Sequence, residues 1–213
     1  MNEVKPRKTI YTMYIKRLLD IILSSIAIVV LSPVFIIVAV LEIIYHGRPI
    51  LYSQERPGRD GKIFRIYKFR SMTNEVDEHG ELLSEDRRVT RFGRAIRRLS
   101  IDELPELFCI LRGDMSIIGP RPLLVEYLPY YKGRHVARHA IRPGFACIPL
   151  RKVSEWSWHT QFDNDIWYIE HCSLLVDVLE VFAVIREAIA AAEYRVSGLR
   201  EDFFESYVDE SSG

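Results

Sequence analysis

Several signals that would mark other protein classes are missing or scarce. Cysteine occurs only at Cys109, Cys147 and Cys172 in 213 residues. No C-x-x-C pair is present, so the three read as reduced cytoplasmic thiols rather than a disulfide framework or zinc site. The six histidines include no H-E-x-x-H pattern. Only His135 and His139 share a helical face, and they read as surface residues. Net charge is also absent, with 29 Lys plus Arg against 29 Asp plus Glu. With no basic excess and no recognised module, a nucleic-acid partner is not expected.

Charge of either sign is missing from one long stretch, Ile21 to Leu41, bounded by Asp20 and Glu42. As one continuous helix it would span about 31 Å, close to a bilayer core. Ser32-Pro33 falls in its middle. Pro33 lacks an N–H and leaves the Val29 carbonyl without a helical partner, so the helix kinks or turns back. Each half then reaches only about 16 to 18 Å. Lys5, Arg7, Lys8, Lys16 and Arg17 precede the run, and Arg48, Arg56, Arg59 and Lys62 follow it. Basic flanks on both sides suit a re-entrant hairpin with both ends in the cytoplasm, and the Ser24, Ser25 and Ser32 hydroxyls can serve carbonyls near the break. A kinked spanning helix and a buried core helix are the alternatives. A cleaved signal peptide is not expected, because the run starts late, is too long and lacks a small-residue cleavage pattern after it.

Beyond the run, Ile50 to Gln54 reads as a short strand, followed by the turn signals of Arg56 to Gly61. Lys62 to Arg70 alternates apolar and basic residues and predicts a strand presenting cations, Lys68 and Arg70 among them. Glu75 to Arg88 is dense in charge and reads as a solvated loop. Helical spacing is expected over Arg91 to Arg98, Asp102 to Leu111, Leu123 to Tyr131, Gly133 to Ile141 and, with amphipathic periodicity, Ser173 to Val196. Phe145 to Trp158 has no clear period and reads as loop or short strand. Trp156, Trp158, Trp167 and Tyr168 suit either an interfacial aromatic belt or the core. Arg112 to Pro122 reads as a turn, a short apolar strand and a rigid Gly119-Pro120-Arg121-Pro122 loop. The prolines on either side of Arg121 preorganise it for anion recognition. The fold class is therefore α/β, mostly helical with short strands. Its parts are a membrane hairpin and basic flank over 1–47, a cytoplasmic domain over 48–200 and an acidic tail over 201–213.

The chemistry concentrates in Ser100-Ile101-Asp102-Glu103-Leu104-Pro105-Glu106-Leu107, just after Arg94, Arg97 and Arg98. A proline at such a place belongs to a helix first turn, so Asp102 and Glu103 are expected near a helix N-terminus, whose free N–H groups favour carboxylates and phosphates. The octet alone also reads as a helix cap: Ser100 and Glu103 have capping-box spacing, and Arg98 with Asp102 has i,i+4 spacing.

Taken together, the Ser32-Pro33 run, the Lys68-Phe69-Arg70 strand, the octet, Arg112-Gly113-Asp114-Met115-Ser116 and Gly119-Pro120-Arg121-Pro122 resemble the bacterial sugar transferases known as small monotopic phosphoglycosyl transferases, the PglC-like group. The resemblance runs from about Tyr14 to Gly144 and resumes over Trp158 to Asp177, where Trp158, Phe162, Asp165 and Tyr168 keep the family spacing. It implies a re-entrant membrane helix at the cytoplasmic face of the bacterial inner membrane, with both chain termini cytoplasmic and interfacial amphipathic helices beside it. It further implies transfer of a phosphosugar from a UDP-sugar to undecaprenyl phosphate, with UMP released, through an aspartyl-phosphosugar intermediate. Asp102 would be the nucleophile and Glu103 the neighbouring carboxylate associated with Mg²⁺, the two forming the metal site. Lys68, Arg70, Arg97, Pro120, Arg121, Pro122, Arg142 and Arg151 are the candidate substrate-binding residues. The lipid bilayer, downstream glycosyltransferases and a second copy of the chain in a homodimer are the further partners considered.

One segment departs from the family pattern. After Arg142-Pro143-Gly144 the family usually reads close to I-T-G-W-A-Q-V-N-G-R, whereas this chain reads Phe145 to Val153 as F-A-C-I-P-L-R-K-V. Arg151 or Lys152 is the candidate replacement for the family's arginine. This departure motivates a competing expectation, a membrane-anchored scaffold of the same fold without catalysis.

Overall fold

The computed structural model describes residues 4–147 and 157–190. A turn of π-helix over Tyr11–Ile15 runs into α1 (Lys16–Val30), and α2 (Ser32–Tyr45) follows after the single residue Leu31, whose φ of −87° and ψ of 2° break the helical path. The two helical segments are bent by 60°. Pro33 occupies the first turn of α2, where its missing N–H leaves no hydrogen bond unmade. The Val29 carbonyl accepts instead from Ser32 Oγ at 2.8 Å. Among the described residues no single helix is long and apolar enough to cross a membrane, and the bent pair passes that test only together.

The chain continues into an antiparallel hairpin of β1 (Leu51–Pro57) and β2 (Ile63–Phe69), with Leu51 opposite Phe69, Tyr52 opposite Lys68 and Pro57 opposite Ile63. A single helical turn, α3 (Glu85–Arg88), interrupts the charged segment expected as loop throughout, and α4 (Arg91–Arg98) follows. A 3-10 turn over Ile101–Glu103 leads to α5 (Glu106–Arg112) and then β3 (Ser116–Ile118). Two 3-10 segments, Val125–Tyr130 and Gly133–His139, precede β4 (Gly144–Ala146), which lies parallel to β3. The described residues end with α6 (Trp158–His171) and α7 (Leu174–Ala190). The architecture is mostly helical with two small two-stranded sheets.

The helical pair rests on this body by one face. Ala27, Ile28, Leu31 and Phe35 pack against Ile66, Leu107, Cys109, Ile110 and Met115, while Val34, Val38 and Ala39 join Phe69 and Ile96. Polar pins fix it: Arg17 donates to the Ile110 and Leu111 carbonyls at 2.6 and 2.8 Å, groups left over at the end of α5. Asp20 accepts from Ser116 Oγ and from the Ile117 N–H at 3.0 and 2.9 Å. The opposite face carries Ile22, Ile26, Val29, Val30, Ile36, Ile37, Val40 and Ile44, all exposed.

One local expectation is corrected and two further readings are resolved. His135 is buried rather than superficial, its Nε2 meeting Asp163 Oδ1 at 3.1 Å, and His139 packs its ring edge-on to Tyr131. Trp158 and Tyr168 belong to the core and not to an interfacial belt, whereas Trp167 stacks on His171; Trp156 lies outside the described residues. The helix they occupy starts from a capping box, in which Ser157 Oγ accepts from the Thr160 N–H and Thr160 Oγ1 accepts from the Ser157 N–H. The last helix is amphipathic as expected, but inside out. Asp177 and Glu180 are buried, while Leu175, Leu179 and Phe182 are exposed. Asp177 collects Tyr11 Oη and Lys16 Nζ on one oxygen, each at 2.5 Å, and Tyr168 Oη on the other at 2.6 Å.

Candidate active site

Five pieces of chain converge on the carboxylates of the octet, and short-range chemistry sets each. Thr90 caps α4 by accepting from the Gly93 N–H at 2.8 Å, and its hydroxyl is also 2.9 Å from Nε2 of His46, whose Nδ1 lies 2.8 Å from Glu42. Helix α4 is thereby tied to the end of α2. Gly93 lets it lie directly on the end of β2, since a Cβ there would come within 1.9 Å of the Ser71 carbonyl oxygen. That approach brings Arg97 Nε to Ser71 Oγ at 2.6 Å.

After α4 the chain reverses at Ser100, whose φ of 54° lies in the left-handed region, uncommon for serine. This is where the structure departs from the capping expectation. Ser100 makes no side-chain cap, α5 begins only at Glu106 with Pro105 as its flanking residue, and Asp102 and Glu103 sit in the 3-10 turn. The N-terminal carboxylate of α5 is Glu106, which is buried. Asp102, Glu103 and Glu106 therefore form one acidic group at a chain reversal.

Lys68 reaches this group from β2. Its Nζ is 2.5 Å from Glu103 Oε1 and 3.2 Å from Glu106 Oε1. Arg121 approaches from the proline-flanked loop, with Nη2 3.2 Å from the same Glu103 oxygen. Burial pushes the Asp102 carboxyl above the ordinary carboxylate range, and repulsion by Glu103 adds to it, while Lys68 and Arg97 oppose the shift. Burial likewise raises Glu106, chiefly against the pull of Lys68. Asp102 appears in no ion pair among the described residues, and the cations around it are directed to its neighbours. Partial desolvation beside a like charge makes a carboxylate a stronger electron-pair donor and a ready partner for an incoming cation.

The loop that carries Arg121 is held from behind. Arg138, nearly fully buried, donates to the Arg121 carbonyl at 3.0 Å, to Asp165 Oδ2 at 2.8 and 3.1 Å, and to Tyr131 Oη at 2.8 Å. Its guanidinium lies 4.6 Å from the Phe162 ring centroid. Pro120 accepts from the Gly144 N–H at 2.9 Å, so Pro120, Arg121 and Pro122 ride on the β3–β4 junction. That junction is tight, because a Cβ on Gly144 would come within 2.1 Å of the Gly119 nitrogen.

Of the candidate residues, Asp102, Glu103, Lys68, Arg97 and Arg121 come together. Arg70 is buried and donates to the carbonyls of His46 and Pro49, and Arg142 donates to the Gly113 carbonyl at 2.8 Å, so both are engaged in holding backbone. Arg151 and its neighbour Lys152 lie outside the described residues, as does most of the departing segment. Sequence reasoning missed two members. Glu106 was detectable, since i and i+3 positions share a side of a turn and place it with Glu103. Arg138 was not, because its partners Asp165 and Arg121 are distant in sequence.

A carboxylate with raised proton affinity thus lies among lysine and arginine, on a body with an exposed apolar helical pair, an arrangement compatible with enzymes that handle anionic substrates. The comparison with known proteins narrows this class: residues 11–191 match the family model described as bacterial sugar transferase, and the chain belongs to that family. It is 37% identical over 180 residues to the uncharacterised sugar transferase EpsL of Bacillus subtilis, covering 84% of this chain and 89% of that protein. It is 39% identical over 182 residues to the UDP-N-acetylgalactosamine-undecaprenyl-phosphate N-acetylgalactosaminephosphotransferase of Aeromonas hydrophila, covering 81% of this chain and 43% of the relative. The undecaprenyl-phosphate galactose phosphotransferase of Salmonella typhimurium is 33% identical over 187 residues, with 79% and 39% covered. The chain thus spans less than half the length of these two relatives.

Proposed function

We propose that the chain transfers a sugar phosphate from a UDP-sugar to undecaprenyl phosphate, releasing UMP, and so initiates assembly of a polysaccharide or other glycoconjugate. The observation that carries this reading is the Asp102, Glu103 and Glu106 group shielded by Lys68 and Arg121. The names of the Aeromonas and Salmonella relatives support the acceptor.

In the first half-reaction an Asp102 carboxylate oxygen attacks the sugar-bearing phosphorus. A new P–O bond forms, the phosphoanhydride bond breaks, and its electron pair leaves on UMP. In the second, an oxygen of undecaprenyl phosphate attacks the same phosphorus and displaces Asp102, giving the polyprenyl diphosphosugar. A carboxylate attacks through its ionised form, so Asp102 as nucleophile needs no general base. Its obstacle is repulsion from the diphosphate, which Lys68, Arg97 and Arg121 offset while stabilising the charge on departing UMP. Adjacent hard oxygen donors, one of them raised in proton affinity by its neighbour, fit a divalent cation that takes few protein ligands and completes its shell from phosphate and water. Asp102 and Glu103 are the residues that would hold Mg²⁺, which when bound supplies further charge neutralisation at the diphosphate.

The acceptor's lipid places this chemistry at a membrane surface. The bent helical pair enters the cytoplasmic leaflet of the bacterial inner membrane as a re-entrant hairpin and returns to the same side. The eight exposed aliphatic side chains named above on its outer face would alone cost on the order of 8 kcal/mol in water, at about 1 kcal/mol each for partial exposure, as much as many domains have in total stability. The outward apolar side of α7 lies in the same interface, carried there through Asp177 by Tyr11 and Lys16 at the hairpin's entry.

The test is UMP release in detergent with Mg²⁺ across a panel of UDP-sugars. With undecaprenyl phosphate present the native chain turns over, and without it releases about one equivalent of UMP per chain, the mark of a covalent intermediate. Asp102→Asn loses roughly a thousandfold or more. If the native chain releases no UMP with any donor, the enzyme reading fails and the scaffold reading stands.

A further inference from the structure

An open groove of about 620 Å³ separates β1 from the 3-10 segment at Val125–Tyr130. Tyr52 and Gln54 line one wall, Leu124, Glu126 and Tyr127 the other, with Glu55 at the rim. Two routes connect this groove to the carboxylates. Tyr52 pairs directly with Lys68 across the hairpin, and directly paired residues project from the same face of an antiparallel sheet. Tyr52 and Gln54 therefore stand on the face from which Lys68 reaches Glu103 and Glu106. From the other side, Leu124 follows Arg121 by three residues, and Arg121 also meets Glu103. Each wall is thus continuous with an element whose cation, Lys68 or Arg121, reaches Glu103.

The groove's polar groups are turned outward. Arg56 donates to Gln54 Oε1 at 2.6 Å, which fixes the amide and leaves its NH₂ as the group facing away from that bond. Neither the Tyr52 hydroxyl nor the Glu126 carboxylate has a partner among the described residues. An amide donor, a hydroxyl that both donates and accepts, a carboxylate acceptor and the Tyr52 ring are the complement of a polyhydroxylated ring with apolar C–H faces. Glu55 is paired with Arg65 at 3.2 Å, so Glu126 is the acidic group that disfavours a diphosphate at this end, while Lys68 and Arg121 attract it at the other.

We infer that the groove between β1 and Val125–Tyr130 holds the sugar of the donor, with Tyr52, Gln54 and Glu126 setting which sugar is accepted. This rests on the UDP-sugar reading above. The diphosphate lies along Lys68 and Arg121 beside Asp102, and the uncharged sugar extends from it into the groove. Gln54 donates to a sugar oxygen, whether hydroxyl or acetamido carbonyl. Glu126 accepts from hydroxyls. A sugar lacking the matching group leaves these side chains desolvated and unpaired, which is how such a pocket rejects near relatives.

The test uses the full chain in detergent, with binding measured by calorimetry on an Asp102→Asn background so that no donor is consumed. The ligands are UDP and the UDP-sugar that releases most UMP from the native chain. Expected is that Gln54→Ala and Glu126→Ala each weaken UDP-sugar binding roughly tenfold, while UDP binding stays within about twofold. In the active chain the same substitutions change the ratio of UMP release between two UDP-sugars. All three side chains are solvent-accessible, and an unchanged thermal midpoint checks that the variants fold. Equal weakening of UDP and UDP-sugar, or no weakening of either, overturns the sugar assignment while leaving UMP release by the native chain intact. No UMP release from any donor, with no UDP-sugar binding, brings down the enzyme reading and this inference with it.

Discussion

At the scale of single residues the site is a place where stability has been given up. A carboxyl whose pKa is raised on folding contributes stability that is complete below its unfolded value of about 4 and is lost as pH climbs through the folded value. Asp102 is raised by burial and by Glu103, so at neutral pH the native chain bears that loss. Asp102→Asn is therefore expected to melt higher than the native chain at pH 7 while losing UMP release, with the gap closing on acidification toward about pH 4. Thermal melts across that range in metal-free buffer check it, and a variant that melts at or below the native chain at pH 7 refutes it. His139 works in the opposite sense. Burial holds its pKa down at about 4, so the stability of its neutral state is present above the unfolded value of about 6.5 and lost as pH falls through 4. The two groups act with opposite sign in the same acidic range, so the Asp102→Asn comparison, in which His139 is common to both chains, isolates the carboxyl.

At the scale of elements, close approaches aim the side chains of the candidate site. Gly93 lets α4 rest on the Ser71 carbonyl, and Arg97 reaches Ser71 because of it. Gly93→Ala would force the helix outward, at a cost of about 1 to 3 kcal/mol. A urea midpoint indistinguishable from native would contradict this, and so would undiminished UMP release at low temperature. These elements were unevenly legible in the sequence. The β2 strand and the break at Ser32-Pro33 follow from period-two alternation and from proline's missing N–H, both local causes. The turn holding Asp102 misled, because S-x-x-E spacing and Pro105 speak for a helix start while Ser100 in the left-handed region delays it to Glu106. Arg138 could not have been found locally, since its role depends on Asp165 and on the Arg121 carbonyl, brought together only by the fold. The acidic side of α7 favours contact with protein over anionic lipid on its charge alone, but which partners bury it, Tyr11, Lys16 and Tyr168, depends on residues distant in sequence or on another helix.

At the scale of the whole molecule, the hydrogen bonds of Arg17, Asp20 and Asp177 pin the bent helical pair to the rest of the body, and under the proposed function they would hold the carboxylates at a fixed height above a bilayer. The re-entrant reading predicts that cysteines introduced at Lys5 and Arg48 react with a membrane-impermeant maleimide from the same side of the membrane, in opened cells and not in intact ones. Labelling from opposite sides would mean a spanning helix. The native Cys109 and Cys172 are buried and the half-buried Cys147 also has its thiol pKa pushed up by burial, so all three should react slowly, and the chain without introduced cysteines gives the background. The β1–β2 pairing carries a further consequence for how such a chain matures. The same register that buries Ile66 turns Lys68 toward Glu103, and a slip of one residue would send Arg65 or Tyr67 into the core and turn the lysine away. A misregistered β1–β2 hairpin would lose its core packing and the Lys68–Glu103 contact together, so quality control that removes unstable chains during synthesis would also remove chains whose carboxylate group is disassembled.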